Sequence, residues 1–317
     1  KELCCQYDEN NWEDTFYKLY IRNPKSFFKE FRGSFCGIIY NIRNCNLTLY
    51  VDHFRSKDIY YCWLNNKFYF STNLSYLARL DIDSNKLNIS AAYLLLTFGA
   101  TLEEKTLFKD IKKLPYGTFL GLNKKGELFI NSYYRIHIDY NYPMIDSESS
   151  YIEKINTLFR QAIDRQFSKD LEYGYNHLVA LSAGRDSRMT AWVSHEKGYD
   201  KNVLNFTFSE SGQLDELIPK KIACDLHNDW IFKSLDNGNC FLDFEEVNLL
   251  LCGEICLQTV LHGYSFMKLF NYDKFGLIHT GQLGDVIVGD FGLNSSCSYE
   301  KLSYVYSRKL LHKVKAH

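Results

Sequence analysis

Hydrophobic positions fall into two patterns along this chain. Before about residue 135 they come as short runs broken by polar turn residues. Residues 35–40, 47–51, 60–63 and 68–70 have the length and the aromatic or β-branched content of strands, and Asn44, Asn65 and Asn66 punctuate them as turns. Residues 75–80 and 90–98 have helical character, with Ser90 placed to accept the first free amide protons as an N-cap. Residues 118–122 and 127–130 predict a hairpin around Asn123-Lys-Lys-Gly126.

The pattern changes after Tyr140. Residues 141–150 are polar, contain Pro143 and lack periodicity, so they predict a linker. Ile152, Ile155, Phe159 and Ile163 then recur at three- and four-residue steps, which puts them on one helix face. Strand and helix alternate from there. Residues 177–181 form an apolar strand, 182–187 a small polar loop and 188–197 a helix. A strand over 203–208, a helix marked by Leu214, Ile218, Ile222 and Leu226, and a short strand over 230–232 follow. Residues 247–270 look mainly helical and 276–279 close the series as a strand. Such alternation predicts a parallel sheet with helices on its faces. The expected organisation is an α+β domain over 1–140, a linker over 141–150, and an α/β domain over 151–317.

Length and composition agree with two domains in 317 residues. A formal net charge of −1 argues against a nucleic-acid surface, which usually leaves a basic excess. No apolar run has the length of a membrane span, and no signal peptide is visible. The chain opens on Lys-Glu-Leu-Cys-Cys without an initiator Met, so the natural start is not necessarily shown. Ten cysteines are scattered without a C-x-x-C pair. Cys252 and Cys256, four apart and near His262, would share a helix face, but buried reduced thiols are favoured over a zinc site. Reduced thiols fit a cytoplasmic location.

Candidate chemistry concentrates in Leu178-Val-Ala-Leu-Ser-Ala-Gly-Arg-Asp-Ser-Arg188. A strand feeding a small-residue loop and a helix N-terminus makes an anion cradle. Ala183 and Gly184 let backbone amides approach a phosphate, Ser182 and Ser187 add hydroxyls, and Asp186 offers a hard oxygen to Mg²⁺. Leu181, at the strand's end, belongs to the same binding set. A Walker loop is excluded, because no Lys follows. The bland alternative is an ordinary strand-turn-helix corner. A second apolar strand runs into a Gly-rich loop in Phe275-Gly-Leu-Ile-His-Thr-Gly-Gln-Leu-Gly-Asp-Val-Ile-Val-Gly289. Two loops leaving strand C-terminal ends can face each other across a crevice.

Ser182-Ala-Gly-Arg-Asp-Ser187 resembles the S-G-G-x-D-S loop of ATP pyrophosphatases, with Ala for the first Gly. The second loop resembles the S-G-x-G-x-D-E segment of asparagine synthetases, with Thr280, Gly281 and Asp285 on its Ser, first Gly and Asp. Upstream phrases are also similar to that family: Phe31-Arg-Gly-Ser-Phe-Cys-Gly-Ile-Ile-Tyr-Asn41, Val51-Asp-His-Phe-Arg-Ser-Lys-Asp-Ile-Tyr-Tyr61, Phe70-Ser-Thr-Asn73 and Ile111-Lys-Lys-Leu-Pro-Tyr-Gly117. The resemblance implies a partial glutaminase-like β-sandwich of the N-terminal-nucleophile (Ntn) hydrolase type, then a domain like the adenine nucleotide alpha hydrolases. It implies ATP and Mg²⁺ as cofactors, with Asp186 and Asp285 holding the metal. Phe208 falls on the strand that lines the family's adenine pocket, with a core aromatic as the equal alternative. His227 and His279 are expected to be packing or polar residues rather than catalysts.

The departures shape the expected function. No glutamine-binding phrase precedes Phe35, and Val51, Arg55, Asp58 and Asn73 replace scaffold residues of the family, so glutaminase activity is in doubt. Gln282 stands where the family carries an acid beside the acyl-adenylate, and Gln cannot take a proton at pH 7. The implied function is an ATP-dependent, amide-forming ligase with Asp186, Asp285 and Gln282 as catalytic residues. Its expected partners are a small-molecule carboxylate and an amine, with a homodimer or a separate glutaminase as amine donor. A non-catalytic ATP-binding or scaffold module is the alternative.

Overall fold

The computed structural model describes residues 2–9, 11–80, 86–137 and 147–282. Two compact units divide the chain. Unit 1 comprises Lys1–Tyr140 with Leu249–Cys256, and unit 2 comprises Asn141–Asn248 with Leu257–His317. Unit 1 thus regains residues 249–256, which lie within the 151–317 stretch expected as one domain.

Unit 1 begins with α1 (Glu2–Gln6), α2 (Trp12–Arg22) and a 3-10 turn at Phe27–Glu30. The sequence pattern had missed these helices. α2 is nevertheless well specified locally: Asn11 accepts from the Asp14 amide, acids occupy its first turn and Arg22 its last. β1 (Cys36–Asn41), β2 (Asn46–Val51), β3 (Tyr60–Leu64) and β4 (Lys67–Ser71) lie where the hydrophobic runs predict them. α3 (Leu74–Ala78), α4 (Ile89–Phe98), β5 (Lys112–Lys113), β6 (Thr118–Leu122) and β7 (Leu128–Ser132) follow. Ser90 is not the cap of α4. Asn88 is, accepting from the Ala91 amide at 3.2 Å, and Ser90 sits inside the helix.

Two antiparallel sheets form, in the orders β1-β2-β6-β7 and β4-β3-β5. Alternation on β2 and β6 explains how both faces of the first sheet are covered. Leu49, Val51 and Leu120 join Ile59, Tyr61 and Leu114 in one core. Tyr50 and Phe119 point the other way, into a second core of Leu19, Phe27, Phe28 and Phe31.

Unit 2 contains α5 (Glu148–Glu172), β8 (Asn176–Ala180), α6 (Arg185–Glu196), β9 (Val203–Ser209), α7 (Leu214–Asp225) and β10 (Asp229–Ser234). α8 (Phe244–Leu251) begins in it, and α9 (Gln258–Met267) and β11 (Phe275–His279) follow. α5 starts at Glu148, with Ser147 as its cap, so the expected linker is shorter than 141–150. The expected helix over 247–270 is broken: residues 252–257 form no helix, and Cys252 and Cys256 share no helix face. The four strands are parallel, in the order β10-β9-β8-β11. Val179 and Val203 pack with Ile163 and Phe167 of α5 on one face, while Leu178 and Phe206 pack with Phe266 of α9 on the other. No helix among the described residues is long and apolar enough to cross a membrane.

Candidate functional site

The strand order fixes where a ligand can enter unit 2. From β8 the chain adds β9 and then β10 on one side, and returns to place β11 on the other. The topological switch point therefore lies between β8 and β11, the place at which open parallel sheets ordinarily take a ligand. The loops leaving these two strands are the two that the sequence singles out.

The first loop is anchored at its entry. The Leu181 amide donates to the Phe206 carbonyl at 3.0 Å, and the Thr207 hydroxyl donates to the Leu181 carbonyl at 2.6 Å. Trp230 Nε1 donates to the same Thr207 oxygen at 3.0 Å, so the anchor spans three strands. Leu181 itself is buried with Ala191 and Leu226. It shapes the loop from beneath.

α6 starts at Arg185, earlier than the expected 188. Asp186 and Ser187 thus belong to its first turn. Gly184 is the N-cap and supplies no side-chain hydrogen bond to the helix start. An uncapped first turn keeps the positive end of the helix dipole available to an anion. The loop's serines bond to each other. The Ser182 and Ser187 hydroxyls lie 2.8 Å apart, the Ser182 amide donates to Ser187 Oγ at 3.0 Å, and the Gly184 amide donates to Ser182 Oγ at 3.1 Å. Ser187 is buried. The pair braces the loop from within. Asp215, from the first turn of α7, accepts from the Ala183 amide at 2.7 Å. A carboxylate of the chain already engages one cradle amide, a contact between loops that sequence spacing does not reveal.

The second loop closes on the first. A methyl group on Gly281 would lie 2.4 Å from the Ser187 amide nitrogen and 2.9 Å from Asp186 Cβ. Only a glycine lets the backbone approach so closely. Thr280 and Gln282 are exposed on either side of it, and the Gln282 amide donates to Thr280 Oγ1 at 3.4 Å. The structure thus brings Ser182, Gly184, Asp186, Ser187, Thr280 and Gly281 together. Asp285 lies outside the described residues.

Phe208 is half-buried among Phe206, Phe266 and His262, and its ring lies 3.0 Å from a methyl position on Gly263. His227 is exposed and takes a left-handed φ of 55° at the end of α7. His279 is wholly buried. Its Nε2 meets Asp170 Oδ2 at 2.7 Å, and His177 Nδ1 meets the same oxygen at 2.9 Å. Burial pushes the His279 imidazole below its ordinary value, although Asp170 pulls the other way.

In unit 1, Asp52 of the Val51-Asp-His phrase is buried and turned toward its own loop. It accepts from the Phe54, Ser56 and Phe35 amides and from the Ser56 hydroxyl. Burial alone would raise its carboxyl, but these donors win and hold it below the usual range. A cleft of 550 Å³ beside it is lined by Lys29, Arg32, His53 and Tyr134.

With this geometry in place, comparison with known proteins becomes informative. Residues 9–134 match the glutamine amidotransferase domain family. A Methanocaldococcus jannaschii protein named as a glutamine-hydrolysing asparagine synthetase is 25% identical over 231 residues, 70% of this chain and 43% of that protein. Over that stretch the chain resembles the asparagine synthetases. The Bacillus subtilis asparagine synthetase (glutamine-hydrolysing) 1 is 23% identical over 224 residues, 69% of this chain and 34% of its own length. The chain therefore spans less than half of each of these relatives. Among solved structures, glutamine-dependent NAD⁺ synthetase from Acinetobacter baumannii in complex with ADP aligns with 88% of this chain and 65% of its own. The TM-score is 0.30 and the identity 11%.

Proposed function

We propose that unit 2 binds Mg–ATP between the loop of Ser182, Gly184, Asp186 and Ser187 and the loop of Thr280 and Gly281. There it adenylates a small-molecule carboxylate with release of pyrophosphate, as the activation half of an amide-forming ligase. The observation that carries this reading is the contact of Gly281 with the Asp186–Ser187 backbone at the switch point. Unit 1 is then the glutaminase-like domain of an Ntn-hydrolase-type sandwich, and unit 2 an adenine nucleotide alpha hydrolase-like domain.

The donor set fits a magnesium phosphate. Asp186, half-buried in the first turn of α6, would hold the metal together with Asp285, and Mg²⁺ would neutralise charge on the phosphates. The remaining work falls to the chain. The uncapped first turn of α6 holds an anion, the Ser182–Ser187 brace keeps the loop rigid, and Gly281 leaves room for backbone at the cradle's rim. Rate enhancement comes mainly from holding reacting groups in line and from fixed dipoles. Gln282 orients a nitrogen nucleophile without taking its proton. The cellular setting proposed is the cytoplasm, with a homodimer or a separate glutaminase delivering the amine.

Calorimetry and pyrophosphate exchange test this. Mg–ATP binds the full chain, and Asp186→Ala weakens it at least about tenfold, equivalent to about 1.4 kcal/mol. Equal binding by wild type and variant refutes the assignment. Binding without carboxylate-dependent exchange favours the scaffold alternative.

A further inference from the structure

Asp170, His177 and His279 are buried, at 2%, 0% and 1% exposure, and the chemistry proposed above uses none of them. They come from α5, β8 and β11. β11 pairs with β8 in parallel, but the register shifts between Phe275 and Ile278. Within that irregularity the Leu277 amide donates to Asp170 Oδ1 at 2.9 Å. A methyl on Gly276 would stand 2.2 Å from this oxygen, so glycine is what admits the carboxylate to the strand backbone. The other carboxylate oxygen accepts from His279 and His177. Phe167, one turn before Asp170 on α5, stacks on the His279 ring with centroids 3.8 Å apart. One acid thus satisfies the irregular strand and grips the last residue of β11. The next two residues are Thr280 and Gly281.

We propose that Asp170, His177 and His279 are positioning residues, a clamp that sets the end of β11 and so seats Gly281 against Asp186 and Ser187. The proposal rests on the reading of these loops as a nucleotide site. A metal centre is the competing use of the same atoms, which all lie within 4.8 Å of one another. Metal ligation through His177 Nδ1 and His279 Nε2 would move each ring's proton to the opposite nitrogen. Those nitrogens, His177 Nε2 and His279 Nδ1, are buried with no hydrogen-bond partner. Ligating histidines ordinarily donate that proton to a second group. In the clamp the same nitrogens carry lone pairs, and the protons face Asp170.

The test compares two variants of the full chain. His279→Phe keeps a ring for Phe167 but loses the donor, whereas His279→Gln keeps an N–H near the position of Nε2. Amide exchange over residues 275–282 speeds up at least about tenfold in His279→Phe and stays within about threefold in His279→Gln, with β9 and β10 unchanged in both. Mg–ATP affinity falls at least about tenfold in the first variant and within about threefold in the second. Gly276→Ala, which crowds Asp170 while leaving both histidines, gives the same local exchange signature and serves if His279→Phe does not fold. If the wild type binds no Mg–ATP, the nucleotide reading fails, and the exchange measurements still judge the clamp. The clamp is overturned by unchanged exchange over 275–282 in His279→Phe, by equal effects in the two His279 variants, or by a uniform loss of protection across the sheet. It is also overturned by one equivalent of zinc in the purified wild type that His279→Gln lacks.

Discussion

Two buried polar clusters, one in each unit, solve the same problem differently. In unit 1 a cation faces an anion: Lys113 Nζ lies 3.1 Å from Glu254 Oε1 and donates also to the Thr101 carbonyl and hydroxyl. Tyr60 adds its hydroxyl to Glu254. In unit 2 one carboxylate serves two imidazoles and an amide, and a nitrogen of each ring has no partner. The first cluster uses all three ammonium protons and holds a remote segment, residues 249–256, to its sheet. The Ala100–Ile255 bridge and the Thr101 amide's bond to the Glu254 carbonyl belong to the same attachment. The second gathers two rings on one acid and sets one strand end. A saturated ion pair is costly to break on one side, whereas a shared acid governs local geometry.

The largest expected effect breaks the first cluster. Glu254→Leu leaves the Lys113 ammonium, 3% exposed, without its counter-ion, and destabilises unit 1 by about 3–5 kcal/mol in denaturant unfolding. Adding Lys113→Met to that variant recovers most of the loss, because a buried ion pair and an apolar pair of similar volume differ little. If the single variant unfolds like the wild type, the cluster is not what holds residues 249–256.

A smaller effect is expected from Asp170→Asn. The amide oxygen cannot accept from all three N–H groups that the carboxylate serves, and buried donors without partners cost about 2–3 kcal/mol together. Chemical unfolding measures the loss, and exchange mapping should place it in unit 2 alone. A variant within about 0.5 kcal/mol of wild type would mean that the carboxylate is redundant there.

These clusters also explain what the sequence could and could not reveal. The first loop was legible because its chemistry is local: strand, small residues, acid and helix follow one another. The mutual bracing of its serines was not legible, since it depends on how the loop closes. Lys113 and Glu254 are 141 positions apart, and Asp170 and His279 are 109 apart. Neither pairing leaves a periodic or spacing signal. The excursion of residues 249–256 was hidden for the same reason, because an apolar stretch around Cys252 suits a helix until Glu254 finds Lys113. α2 was missed despite its Asn11 cap, because its apolar residues divide between a buried Leu19 and exposed Trp12, Tyr17 and Ile21. His279 was expected to be a packing or polar residue. It is both, but the function proposed for it comes from the residue that follows it.

The smallest effect sharpens the contrast through pH. Burial lowers the His279 imidazole below its ordinary 6.5, so the folded state releases this proton more readily than the unfolded chain does. Between the folded and unfolded values the unfolded chain binds more protons, and stability rises with pH at up to about 1.4 kcal/mol per pH unit. The contribution is therefore complete above pH 6.5 and is lost as the pH falls through the folded value. Asp52 has the same sign, since its carboxyl is also held below its ordinary 3.8, but its window lies in stronger acid. Unfolding measured from pH 7.5 down to about 5.5 should thus show the wild type losing more stability than His279→Gln, which has no proton to gain at that site. Parallel profiles for the two proteins would mean that the ring takes up its proton without penalty, and that the unpartnered nitrogen finds an acceptor when it does.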